Sequence, residues 1–261
     1  MDDSRTTASQ LRQPRLAEIV AGRVRDEILN GNLEDGHRLP RQEEMFSDFQ
    51  VSSPSLREAL RILETEGLIT VQRGKVGGAI VHLPSEQRIA YMVAMVLQTK
   101  LTQLNDVGKA IVELEPICTS LCAERPDRLT TVVPALRAVI ERQRDAVERS
   151  DSIELNMAAR EFHEGIATGC GSTTLMVTLG ALETLWTRHE SEWARRAAAA
   201  GAMPEDEAHR LALAVHEKIL AAIEAGDGPR AAHIARAHLD AVQAFTLSGH
   251  QDRTVNANLV R

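Results

Sequence analysis

The chain has 261 residues, 43% of them hydrophobic and 26% charged, with a net charge of −7. That length suits two modest domains, and the composition is that of a folded globular chain rather than a disordered one. Aromatic residues make up 3% of it, too few for a platform that stacks single-stranded bases, whereas a duplex binder with a small basic surface stays open.

Residues 1–13 read as a flexible arm. A first helix follows, carried by Leu16, Ile19, Val20, Val24 and Ile28 and ended near Asn30-Gly31-Asn32. A second spans 40–49, and 50–52 make a tight turn. Ser53 before Pro54 reads as the cap of a third helix, because proline at the first helical position lacks an amide hydrogen that would be unpaired there anyway. Leu56, Ala59, Leu60 and Leu63 give that helix one apolar face, with Ser55, Arg57 and Arg61 outside it, and Gly67 ends it. Two β-branched runs, 68–73 and 79–83, flank Gly74-Lys75-Val76-Gly77-Gly78 as a hairpin.

The domain boundary falls at Leu83-Pro84-Ser85-Glu86, which gives a first domain of 14–84. Residues 1–85 carry 11 Lys+Arg against 13 Asp+Glu, and the remainder 19 against 24, so net charge reveals no nucleic-acid surface and only local placement can. Two short helices joined by a tight turn, the second bearing arginines, form a unit that enters the DNA major groove. The glycine-rich hairpin would be a wing, with Arg73 and Lys75 as phosphate or minor-groove charges and Gly74, Gly77 and Gly78 allowing close approach. Read on the helix alone, Arg57 and Arg61 are equally well solvated charges paired with Glu58 or Glu64.

Arg38-Leu39-Pro40, Val51-Ser52, Leu56-Arg57-Glu58-Ala59-Leu60, Leu63-Glu64-Thr65-Glu66-Gly67-Leu68-Ile69 and Gly74 together resemble the winged-helix head of the GntR family of bacterial transcription regulators. The resemblance implies base and phosphate contacts from Ser52, Ser53, Ser55 and Arg57. Arg38, Arg41, Arg61 and the wing residues Arg73, Gly74, Lys75 and Gly77 complete the candidate set. Ser53 and Glu43 depart from residues common in relatives, so the operator sequence cannot be carried over.

Residues 85–248 read as an all-helical bundle of six or seven helices, over 87–99, 104–124, 128–148, 152–169, 172–197, 205–225 and 228–246, and residues 249–261 as a flexible tail. The longest apolar run, 89–97, is less than half a membrane span, and the first ten residues lack a signal peptide's apolar region; no membrane or export role is expected. Cys118, Cys122 and Cys170 include no C-x-x-C pair, so a reducing, cytoplasmic setting is expected and the thiols read as packing residues. Trp186 and Trp193 read as core or dimer contacts, and His189 between them as solvated.

His216 and His238 lie eleven residues either side of Asp227 in the Gly226-Asp227-Gly228 break, so a helical hairpin would bring them level. His163 on an earlier helix could complete a three-histidine site with open coordination. The alternative is three packed, hydrogen-bonded core histidines.

Leu114-Glu115-Pro116, Leu121-Cys122-Ala123, Glu161-Phe162-His163, His216-Glu217-Lys218-Ile219, Gly226-Asp227 and His238-Leu239 are similar to the FadR subfamily. Its helical domain binds effectors and forms a homodimer. The resemblance implies one divalent ion per chain (zinc, nickel or manganese) on His163, His216 and His238, with an aspartate where this chain has Ala159. It also implies an effector-gripping arginine where this chain has Ile111. With both absent, a more apolar pocket lined by Ile111, Glu115, Ala159 and the three histidines is expected, suited to a lipid-derived or acyl-type effector. The expected function is a ligand-responsive repressor of a pseudo-palindromic operator. A metal-dependent hydrolase or lyase is the alternative, but Glu161 and Glu164 form no catalytic spacing with His163, and it leaves the winged helix unexplained. A helical interaction module with a degenerate head would show no salt-dependent DNA affinity.

Overall fold

The computed structural model describes residues 15–72, 78–199, 206–246 and 253–261. The chain divides into two compact units at Ser85/Glu86. The first holds α1 (Leu16–Leu29), β1 (Arg38–Leu39), α2 (Gln42–Phe49), α3 (Ser53–Glu66), β2 (Ile69–Val71) and β3 (Ala79–Val81). The second holds α4 (Glu86–Thr99), α5 (Leu104–Glu124), α6 (Val132–Glu148), α7 (Ser152–Gly169), α8 (Thr173–Ala199), α9 (Asp206–Ala225), α10 (Gly228–Thr246) and a 3-10 turn at Ala257–Leu259.

In the first unit α1 packs on α3, and the buried stripe of α1 is Ala17, Val20, Ala21, Val24 and Ile28. Leu16 and Ile19, expected in that stripe, are about half exposed: the buried face turns toward the small alanines, which let α3 approach. The cap of α3 is Ser52, one residue earlier than the proline position suggested, with its Oγ accepting from the Ser55 amide at 3.4 Å. Gly67 ends α3 at φ 72°, a left-handed conformation that favours glycine, and its amide donates to the Leu63 and Glu64 carbonyls. The hairpin strands are shorter than expected, and a third strand joins them in the order β1-β3-β2, with Arg38 opposite Ile80 and Leu39 opposite Ala79. Sequence missed β1 because two residues carry no alternation and their pairing is non-local.

Among the described residues, the second unit is a bundle of seven helices around one core. Its third helix begins at Val132 rather than 128, since Thr130 and Thr131 Oγ1 both donate to the Asp127 carbonyl and hold 127–131 as turns. The most extensive helix packing joins α5 to α10, where Gly108 lets the helices meet and its carbonyl accepts from Gln243 Nε2 at 2.7 Å. No described helix is long and apolar enough to cross a membrane.

The expected flexible tail is contradicted over its described part, 253–261. The Leu104 amide donates to the Arg253 carbonyl, the Val255 amide to the Thr102 carbonyl, and Gln103 bridges Thr254. Val255 and Val260 are buried in the bundle core. Burial of those apolar side chains in a shared core gives the segment a fixed seat.

Candidate functional site

In the first unit, α2 ends at Gln50 in a left-handed conformation (φ 51°), which turns the chain abruptly into α3. This leaves the first turn of α3 at the surface: Ser52 and Arg57 are exposed, Ser53 and Ser55 half-buried. The Ser52 and Ser55 hydroxyls lie 2.9 Å apart and share a hydrogen bond. Arg57 has no ion pair or hydrogen-bond partner among the described residues, so its guanidinium is available to an anion. Arg61 is engaged by Glu58 through a two-pronged pair at 2.7 and 2.9 Å. The surface-pair reading therefore fits Arg61 and not Arg57. Arg41 is exposed at the cap of α2, where its amide donates to Glu44 Oε2. Arg38 is exposed on β1 and reaches Gln72 Oε1 at 3.5 Å, beside the base of the wing. Arg73, Gly74, Lys75 and Gly77 lie outside the described residues.

In the second unit, α7, α9 and α10 bring His163, His216 and His238 together, with one ring nitrogen of each within 4.8 Å of the others. The α9–α10 hairpin sets His216 Nε2 3.0 Å from His238 Nε2. Phe162 stacks on His216 at a centroid distance of 4.3 Å and closes one side.

The protonation of this cluster follows from its neighbours. Gln143 on α6 donates Nε2–H to the Ala158 carbonyl, so its Oε1 is the atom that meets His216 Nδ1 at 2.8 Å, and Nδ1 must carry the hydrogen. His216 Nε2 is left with a bare lone pair. Burial, then the charge on His163, holds both His216 and His238 well below the ordinary imidazole range, His238 at about 3. His163 Nδ1 donates to Glu115 Oε1 at 2.6 Å. Burial alone would pull His163 down, but the Glu115 carboxylate outweighs it and the imidazole is raised to about 9.

A divalent metal fits these residues. Two neutral imidazoles converge nitrogen to nitrogen, and outer hydrogen bonds from Gln143 and Glu115 orient two of the three rings, as second-shell partners do in metal sites. Two nitrogens bound to one ion about 2.1 Å away lie roughly 3 to 3.4 Å apart, which the His216–His238 spacing meets. Ala159, one turn before His163, supplies no donor.

The expected apolar character of the pocket is not what surrounds His163. Ile111 is indeed buried in the core, but Glu115 is only 1% exposed, and Glu183 on α8 has an Oε1 shut off from solvent with no hydrogen-bond partner. Burial, then the Glu115 charge, pushes the Glu183 carboxyl up to about 8. Sequence reasoning missed Glu183 and Gln143. Glu183 had a signal, being the sole charged residue between 173 and 187; Gln143 had none.

His189 is buried rather than solvated. Its Nδ1 donates to the Leu185 carbonyl at 2.8 Å, and its Nε2 accepts from the Asn256 amide at 2.9 Å. Trp186 is buried, as expected of a core contact, and the side chain of Trp193 lies outside the described set. Cys118 and Cys122 are buried, and burial pushes both thiols up, Cys122 to about 12, so they pack as unreactive thiols.

Among the described residues, the first unit is a three-helix head with a small sheet, an arrangement that can present its third helix to the DNA major groove, and the second is a helical bundle with an internal histidine cluster. Residues 106–241 match the FCD domain, and residues 16–77 match the bacterial regulatory proteins of the gntR family. The chain belongs to the GntR family, with a GntR head and an FCD domain. It is 28% identical over 218 residues to the HTH-type transcriptional repressor GlaR of Escherichia coli K12, covering 83% of this chain and 89% of that one. It is also 28% identical over 235 residues to the HTH-type transcriptional regulator LutR of Bacillus subtilis 168, covering 87% and 99%. A solved structure of a GntR protein from Streptococcus agalactiae superposes with a TM-score of 0.67 at 22% identity, over 88% of this chain and 99% of that one, a likeness of fold. The chain is thus a DNA-binding transcription regulator with an effector domain, and not an enzyme.

Proposed function

We propose that the chain is a cytoplasmic repressor that acts as a homodimer, with residues 14–84 binding operator DNA and the bundle binding both the effector and the second copy. A pseudo-palindromic operator follows from two-fold symmetry, one half-site per head. Ser52, Ser53, Ser55 and Arg57 would meet base edges and phosphates, with Arg38, Arg41, Arg61 and the wing residues Arg73, Gly74, Lys75 and Gly77 holding the backbone. Effector binding releases DNA only if the ligand prefers one arrangement of the heads over the other.

His163, His216 and His238 would hold one divalent ion, of zinc, nickel or manganese type, with Ile111, Glu115 and Ala159 beside it as pocket residues. Such an ion supplies open coordination positions for an effector's donor atoms. Gln143 keeps the His216 lone pair turned inward, and Glu115 orients His163. The observation that carries this reading is the 3.0 Å approach of His216 Nε2 to His238 Nε2, with the His216 tautomer fixed from outside. The test is metal content and DNA binding of the tag-free protein, with His216→Ala as control. About one ion per chain, lost in the variant, together with salt-dependent duplex binding, supports the reading; absence of both overturns it.

A further inference from the structure

We propose that Glu64 is a positioning residue for DNA binding: its carboxylate ties strand β2, which leads into the wing, to α3, so that the sheet-side contact Arg38 and the helix-side contact Arg57 meet the duplex at one fixed spacing. This rests on the reading of residues 14–84 as the operator-binding head and names a residue, outside the candidate contacts, on which that binding depends.

In the sheet order β1-β3-β2, β2 is an edge. Along the hairpin the His82 amide donates to the Leu68 carbonyl and the Gln72 amide to the Gly78 carbonyl, the latter at 2.9 Å. Backbone groups alternate sides along a strand, so the Val71 amide, one residue before Gln72, points away from β3 toward the open edge. There it would be a bare edge donor. Glu64 Oε1 accepts from it at 3.0 Å.

The other two carboxylates of α3 answer arginines: Glu58 is paired with Arg61 on the same helix, and Glu66 with Arg25 on α1. Glu64 reaches across to the sheet. It lies seven residues, two helical turns, beyond Arg57, and so on the same face of α3, about 10 Å further along the axis. On the sheet side, Val71 is followed by Gln72, whose Oε1 accepts from Arg38 Nη1 at 3.5 Å. One path, from Glu64 to the Val71 amide and from Gln72 to the Arg38 guanidinium, therefore joins the recognition helix to Arg38.

The charge of Glu64 has the wrong sign for a DNA contact. A carboxylate on the exposed face of a recognition helix repels phosphates, so a bystander at this position predicts tighter binding when it is removed. A strut predicts weaker binding, because phosphate contacts set register only when the elements that carry them share a frame.

The experiment measures binding of the full chain to a random-sequence duplex by fluorescence anisotropy over a salt series. Glu64→Ala, Glu64→Gln and Glu64→Asp are compared, the first also combined with Arg38→Ala and with Arg57→Ala. Glu64→Gln keeps an oxygen that can accept the Val71 hydrogen and should bind at least as tightly as the wild type. Glu64→Ala loses the same charge, yet should bind about three- to ten-fold more weakly, the worth of one hydrogen bond. Glu64→Asp, with its charge kept and its reach one methylene shorter, should weaken binding too. Arg38→Ala should lower the slope of log affinity against log salt by about one in the wild type and by less than half of that in Glu64→Ala, whereas Arg57→Ala should cost about one in both. A loss of stability alone would shift the urea midpoint and leave these slopes in place. If Glu64→Ala does not fold, Glu64→Asp replaces it in the combinations. Binding by Glu64→Ala as tight as by Glu64→Gln, or an equal cost of Arg38→Ala with and without Glu64, overturns the proposal. A flat Glu64 series on a wild type that binds DNA removes the proposal alone; a wild type that binds no duplex at any salt removes the reading of the head, and the proposal with it.

Discussion

His216 and His238 face each other across the α9–α10 hairpin with their Nε2 atoms 3.0 Å apart, and the His216 nitrogen is a bare acceptor because Gln143 holds the hydrogen on the opposite side of the ring. Without a metal, His238 must donate its own Nε2 hydrogen into that gap. With one, both lone pairs point at the same ion. Gln143 is then the residue that decides which nitrogen is free. Gln143→Leu removes the acceptor and frees the ring to place its hydrogen on Nε2. Metal affinity should fall by about 10- to 100-fold, the usual loss when an outer-shell partner of a ligating histidine is removed. Competition with a chelator of known affinity measures this; unchanged affinity would mean that the amide does not set the tautomer.

Arg57 and Arg61 sit one turn apart on α3, yet Arg61 is held by Glu58 and Arg57 is not. A guanidinium without a partner can neutralise a phosphate directly, whereas a paired one must first exchange a carboxylate. Arg57→Ala should therefore lower affinity for generic duplex DNA and reduce the slope of log affinity against log salt by about one. Arg61→Ala should change both less, and Glu58→Gln should strengthen binding. Fluorescence anisotropy over a salt series reads all three. Equal slopes for the wild type and Arg57→Ala would remove Arg57 from the phosphate contacts.

The order of elements was legible because it is written in local signals: the Ser-Pro start of α3, the glycine that ends it, and the helical periods of the bundle. The histidine pair was legible through symmetry about Gly226-Asp227-Gly228. What failed depends on contacts distant in sequence. β1 exists because Arg38 and Leu39 pair with Ile80 and Ala79, forty residues on. The C-terminal segment looks like a polar tail until Val255 and Val260 find the core of the bundle. Glu183 gained no role from the sequence because periodicity reports an average face and cannot show that one oxygen has no partner.

Gly108 tests the tightest helix contact in the bundle. A methyl group there would lie 2.5 Å from Gln243 Oε1 and 2.9 Å from the ring of Trp186, on two different helices. The Gln243 amide also donates to the Gly108 carbonyl, so it cannot swing away without losing that bond. Gly108→Ala should cost about 1 to 3 kcal/mol despite the better helix propensity of alanine, because overpacking displaces both neighbours. Urea unfolding at fixed pH measures it. A stabilised variant would show that the α5–α10 seam has slack.

His189 couples the seating of the C-terminal segment to pH. Its Nδ1–H is committed to the Leu185 carbonyl, which leaves Nε2 to accept from the Asn256 amide. Protonation at Nε2 would turn that acceptor into a donor facing a donor. Burial, the largest influence, lowers the His189 pKa below the ordinary 6.5, and Arg253 lowers it further against the Leu185 hydrogen bond. A group whose folded pKa is depressed below its unfolded value binds more protons when unfolded. Its contribution is therefore fully present above about pH 6.5 and is lost as pH falls from there toward the folded value. Amide exchange at Val255 and Asn256, corrected for intrinsic rates, should be slow at pH 7.5 and accelerate at pH 5.5. His189→Gln, whose side-chain oxygen can still accept but does not titrate in this range, should flatten that difference. The other buried histidines remain in both proteins, so comparing the two isolates the share due to His189. Equal acceleration in the variant would assign the pH response to the histidine cluster and not to the segment's anchor.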